Sequence, residues 1–201
     1  MDIFKKKQKK AKRDCDSSDT AGDAWIYTCI KRGTYFFVSF AVGKRTQETC
    51  RKMIGQIPRC FGSMQNQKVV FYSDGNDGYT VTLPDFFLLD NLEYGQLIKI
   101  REGGKIVGKI KKQVYGMPSD IETTDVENFN GIMRERVGRL VRKTKCHSKL
   151  KRRLEFSVDL FKWHWNFMDP LGGKATPAML EGISECIISW NQFFYFNIKY
   201  P

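Results

Sequence analysis

Long apolar runs are missing from this chain. Nothing in it approaches the roughly 18–20 consecutive apolar residues that a membrane-spanning helix needs. The basic start, MDIFKKKQKKAKR, is not followed by an apolar stretch, so it does not read as a secretory signal. Six cysteines occur, at positions 15, 29, 50, 60, 146 and 186, without CxxC spacing or a Cys/His cluster. Neither a zinc site nor a disulfide frame is therefore expected, and the thiols read as the reduced cysteines of a cytoplasmic protein. Histidine is scarcer still. His147 and His164 lie far apart and lack metal-ligand spacing, and no Ser/His/Asp or Cys/His arrangement is visible. The Gly-Gly-Lys at 172–174 lacks the upstream glycine and the trailing hydroxyl residue of a phosphate loop. No internal repeat is present.

Acidic residues are also few, 22 against 34 lysines and arginines, which leaves a net charge of +12 at pH 7. A balance of that size favours a polyanionic partner, with nucleic acid the stronger expectation and an acidic membrane the weaker. At 201 residues and 41% hydrophobic content the chain can bury one sizeable core.

The order of elements follows from periodicity. AWIYTCIKR and TYFFVSFAVGKR, separated by Gly33, predict an antiparallel hairpin. Thr46 opens a helix with Cys50, Met53, Ile54 and Ile57 on its apolar face, stopped near Pro58. KVVFYSDG reads as a short buried strand ending at Asp74, and YTVTLPDFF as either strand or short helix. Two alternating runs around Glu102-Gly103-Gly104 predict a second hairpin. Later segments read as a helix closed at Pro170, a helix restarted with Pro177 in its first turn, and an aromatic tail. Together these predict one α/β domain with a mixed sheet.

The most informative stretch runs from Val126 to Arg153. Thr123, Thr124 or Asp125 is expected to cap a helix whose Val126, Phe129, Met133, Val137 and Leu140 form one apolar stripe. Glu127, Arg134 and Gly138 fall at the edge of that stripe, and ten lysines and arginines follow between Arg134 and Arg153. An acid beside a row of cations suits a metal-dependent enzyme acting on nucleic acid; the alternative is an amphipathic helix with a solvated basic face. Asp74 is the second candidate. A carboxylate at a strand's C-terminal end lies where α/β folds place ligands, unless it only shapes the turn before Gly75. Two such acids, joined by a third on the first strand, could hold Mg²⁺ for phosphoryl transfer. His164, between Trp163 and Trp165, reads as a packed ring. The run Trp190, Phe193, Phe194, Tyr195 and Phe196 reads as core or subunit contact, with stacking on unpaired bases as the alternative.

GDAWIYTCIKRG, VGKRTQETC, YSDGNDGY, YGQLIKI, VENFN, GRLVRKTKCHSK, WNF and TPAM together resemble the insertion-sequence-one family of DDE transposases, over about residues 22–182. The resemblance implies an RNase H-like mixed sheet flanked by helices, with a β-hairpin insertion before the catalytic Glu helix. It further implies Mg²⁺- or Mn²⁺-dependent cleavage and strand transfer at transposon ends. By motif, Asp74 matches the second catalytic acid and Glu127 the third, while Arg134, Arg139, Arg142, Lys143 and Lys149 match the DNA-binding row. The first acid falls on Asp2 or Asp23. Asp2 reaches the family position if a small deletion is allowed, and Asp23 begins the strand returning from the Lys-rich hairpin. Asp74, Glu127 and Asp2 would then be the metal ligands. Residues 1–22 are expected to be a basic remnant of the first strand and hairpin, 23–182 the catalytic domain, and 183–201 the aromatic tail. The partners implied are terminal inverted repeats and target DNA, bound by a homodimer or larger assembly associated with the nucleoid. A catalytically impaired remnant that binds DNA or inhibits a full-length enzyme is the alternative.

Overall fold

A computed structural model describes residues 24–61, 67–141, 148 and 150–198. Asp2, Asp23, Arg142, Lys143 and Lys149 lie outside the described residues. The protein is mixed α/β, with a two-stranded and a three-stranded sheet among the described residues. By contact it divides into two compact units. One holds residues 24–29 and 39–131, the other residues 30–38 and those from 132 onward.

Strands β1 (Trp25–Ile30) and β2 (Phe37–Gly43) pair as the predicted hairpin, its turn closed by the Lys31 N–H donating to the Phe36 carbonyl at 2.8 Å. Helix α1 (Gln47–Ile54) starts where Thr46 was expected to cap it, the threonine hydroxyl accepting from the Thr49 N–H. Cys50, Met53, Ile54 and Ile57 are all buried. Pro58 does not end helical structure, because it sits second in a new helix, α2 (Ile57–Phe61). There its missing N–H would have had no intrahelical acceptor.

Strand β3 (Val69–Asp74) is followed by helix α3 (Asp77–Thr82), which settles the ambiguous YTVTLPDFF as helical. Asn76 caps α3 by accepting from the Gly78 N–H at 3.2 Å. Strands β4 (Leu92–Glu102) and β5 (Lys105–Tyr115) form the second hairpin about Gly103 and Gly104. Their φ values of +55° and +82° suit a two-residue turn that side chains with a Cβ resist. In the sheet order β3-β4-β5 the first pair is parallel and the second antiparallel. The hairpin is thus part of the sheet, with β4 as its central strand. β3 is not the buried strand that its apolar sequence suggested. Its residues are half-exposed or exposed apart from Ser73, and among the described residues it pairs only with β4. The central strand carries the core: Leu92, Tyr94, Gly95, Gln96 and Leu97 are buried. The Tyr94 hydroxyl meets Ser73 Oγ at 2.7 Å and accepts from Gln96 Nε2 at 2.9 Å, so the buried polar atoms satisfy each other. Gly95 is required by packing, since a Cβ there would lie 2.6 Å from Ile121.

Helix α4 (Thr124–Arg136) carries Glu127 in its first turn and ends at Arg136, so of the basic residues that the resemblance singles out only Arg134 lies on it. Val137 leaves the helix at φ −93°, ψ +96°, and Gly138–Leu140 form one 3-10 turn. Gly138 supplies the weak helix propensity at that break. Four of the five residues of the expected apolar stripe, Phe129, Met133, Val137 and Leu140, are buried, and Val126 is half-buried.

In the other unit, helix α5 (Lys151–Phe167) buries Leu154, Val158, Phe161 and Trp165. Asn166 takes both backbone groups of Phe37, accepting from its N–H at 2.8 Å and donating to its carbonyl at 3.0 Å. Trp165 Nε1 donates to the Tyr35 carbonyl, and Lys162 to that of Val38. Helix α6 (Pro177–Leu180) starts at the Thr176 cap with proline first, as expected. Helix α7 (Trp190–Ile198) is capped reciprocally, Ser189 Oγ accepting from the Gln192 N–H and Gln192 Oε1 accepting from the Ser189 N–H. Among the described residues, no helix is long and apolar enough to cross a membrane.

Candidate nucleic-acid and metal site

Parallel register sets Asp74, the last residue of β3, against Leu97 of β4. Strand alternation gives Leu97 and Lys99 the same face of the sheet, and Asp74 joins them through its register. Glu127 meets β4 through Lys99, its carboxylate accepting from the Lys99 ammonium in an ion pair. The Thr123 hydroxyl donates to the same Glu127 oxygen at 2.6 Å. Thr123 also stands just before α4, and its carbonyl accepts from the Glu127 N–H, which makes it the capping residue among the three candidates. Asp74 thus ends β3 in register with Leu97, and Glu127 opens α4 paired to Lys99, two residues further along the same strand β4.

Charge within this site is unevenly matched. Partial burial pushes the Glu127 carboxyl upward. The hydrogen bonds from Lys99 and Thr123, with the charges of Lys99 and Lys109, outweigh it and hold the group below its usual range. Asp74 is exposed and makes no ion pair among the described residues. Its negative charge bears on a neighbouring set of weak acids. Burial pushes the Cys50 thiol up to about 11, with Asp74 adding to the rise and a Thr82 hydrogen bond opposing it. Burial first and Asp74 second raise Tyr79 well above an ordinary phenol. Asn76 Nδ2 reaches the Tyr27 hydroxyl at 3.4 Å, and Tyr27 meets Tyr79 edge to face. These hydroxyls and the thiol stay protonated at neutral pH.

No group of three or more His, Cys, Asp or Glu gathers among the described residues. Asp74 and Glu127 offer the hard carboxylate oxygens that magnesium takes, so the donor type fits. Lys99 supplies to Glu127 the positive charge that a metal ion would otherwise bring, and it would have to withdraw. Periodicity did not single out Lys99, because its partner lies 28 residues away in the chain. Only its inward position in the alternation of β4 hinted at a role.

Of the basic row, Arg134 lies on α4, seven residues beyond Glu127, and is partly buried. Arg139, in the 3-10 turn, donates through Nη1 to Ser148 Oγ at 3.4 Å. Arg136, which the resemblance passed over, pairs with Asp169 and lies 5.7 Å from the Trp165 ring centre. Within the same unit Arg136, Arg139 and Arg153 line one groove with His164 and Trp190. Comparison of the chain with family models, with curated proteins and with solved structures returned no match.

Proposed function

We propose that the protein acts on DNA in transposition, as an RNase H-like strand transferase in which Asp74 and Glu127 are two of three acids. The third would be Asp2 or Asp23. The observation that carries this reading is the order strand-end Asp, then helix-start Glu, with Asp74 in register with Leu97 and Glu127 paired to Lys99, two residues further along β4. A net charge of +12 supports a DNA partner. Bound magnesium or manganese would supply Lewis-acid activation of a water or 3′-hydroxyl for attack on a phosphodiester. The chain's own residues hold and orient: Thr123 fixes the Glu127 carboxylate from the helix start, and Lys99 keeps it ionised. Arg134 and Arg139, with Arg142, Lys143 and Lys149, would engage phosphates and set register without reading sequence.

The Lys99–Glu127 ion pair favours a second reading, a DNA-binding protein that does not cleave. Mn²⁺-dependent nicking of a transposon-end duplex decides between the two. Under the first reading the chain nicks, and Asp74→Asn or Glu127→Gln abolishes it while DNA binding persists. Nicking that ignores both substitutions sinks that reading. Binding without nicking, improved by neither metal nor a Lys99→Met change, establishes the second. Binding in either case should weaken steeply with salt, and Arg139→Ala should flatten the slope by about one unit. A slope that does not move would remove Arg139 from the interface.

A further inference from the structure

The groove lined by Arg136, Arg139, Arg153 and Trp190 has a chemistry of its own, separate from that of the two acids. Its volume is about 810 Å³, in the upper part of the roughly 300–1,000 Å³ range of ligand clefts, and it opens to solvent. Helix α5 builds one wall. Arg153, Ser157, Leu160 and His164 recur at i, i+4, i+7 and i+11, which places them within an arc of about 60°. The 3-10 turn after α4 brings Arg139, and the start of α7 brings Trp190.

Three arginines line this space, and none of its described lining residues is acidic. Asp169 compensates Arg136. Arg139 is held by a neutral hydroxyl, and Arg153 makes no ion pair among the described residues. The aromatic part is ordered too. The His164 and Trp190 rings stack at 5.7 Å with planes 28° apart, and Phe193 meets Trp190 edge-on at 5.8 Å. Trp190 keeps 41% of its surface exposed despite these contacts. Uncompensated guanidiniums next to a fixed, exposed indole match a ligand that offers both a phosphate and a flat ring. Duplex DNA offers phosphates, but its base faces are stacked inside, whereas a single strand offers both at each nucleotide.

We propose that this groove binds an unpaired nucleotide of single-stranded DNA, its phosphate held by Arg139 and Arg153 and its base stacked on Trp190. The ligand follows from the groove's own chemistry, so the assignment stands apart from the Asp74–Glu127 reading. Binding of a labelled oligothymidylate of about ten nucleotides and of a blunt duplex to the full chain, read by fluorescence anisotropy, tests it. Trp190→Leu should weaken single-strand binding about tenfold and change duplex binding less than about twofold. Arg153→Gln should likewise weaken single-strand binding, and the indole fluorescence quenched by oligothymidylate should lose that response in Trp190→Leu. Unchanged single-strand affinity in Trp190→Leu, or an equal loss on duplex, overturns the proposal. If Trp190→Leu loses its circular dichroism, His164→Ala is read by the same criteria. Thymidine monophosphate competing as well as the oligomer would make this a free-nucleotide site and overturn the polymer assignment. Asp74→Asn and Glu127→Gln should leave single-strand binding intact, so failure here and failure of the strand-transfer reading are told apart.

Discussion

Glu127 and Arg153 are both exposed, ionised and placed in the first turn of a helix, yet their surroundings differ in kind. Glu127 meets a hydroxyl and an ammonium that answer its charge from within the fold. Arg153 faces a groove whose described lining offers other cations and aromatic rings and no carboxylate. The first arrangement orders a side chain, while the second is left open to an external anion. A net charge of +12 says that a polyanion is attracted, but only local pairing says where it can dock.

The largest effects should come from the cores beneath these two regions. Phe129 and Leu154 are both 0% exposed, the first behind the Glu127 turn and the second behind Arg153. Phe129→Ala should cost about 3–5 kcal/mol and Leu154→Ala about 2–5 kcal/mol in urea unfolding. A loss under about 1 kcal/mol at either position would mean that the helix does not bury that face.

Asn166→Leu comes next. It removes the partners of both the Phe37 N–H and the Phe37 carbonyl, and should destabilise by about 3 kcal/mol, since each buried group left unpaired costs about 1–3 kcal/mol. Equal chemical denaturation of this variant and the native chain would show that water replaces the amide.

The smallest effect sharpens the comparison most. The carboxyl of Glu127 is held low in the folded chain, so its stabilisation is present above the usual glutamate range and is lost as pH falls through the lowered folded value. Its side chain is 49% exposed, so solvent screening limits the pair to under about 1 kcal/mol. In Lys99→Met the opposing effect of burial remains while the main lowering partner is gone, so the Glu127 titration should move up. Carboxyl-detected NMR reads that shift directly. A titration that stays in place would deny the ion pair.

Much of this structure was legible beforehand, and for local reasons. Alternation around Gly103-Gly104 located the β4–β5 hairpin, and Thr46 located the start of α1. The stripe from Phe129 to Leu140 was buried even though the helix ended at Arg136, because a 3-10 turn kept the last two apolar residues directed inward. Helix length was misread at Gly138, where a run of cations continued the helical pattern but backbone propensity did not. The burial of β3 was misread because an apolar composition does not tell how much of a strand its neighbours cover.

Sequence by itself determined the two hairpins, the Thr46 cap, most of the apolar faces and the excess of positive charge, since these depend on residues within a few positions of each other. Tertiary structure decided which charges are answered. Lys99 finds Glu127 28 residues away, and Asp169 finds Arg136 33 residues away. Trp190 stacks on His164 to form the groove's aromatic wall. Electrostatic and stacking energies depend on distance in space, and that distance is set only when the strands and helices have packed.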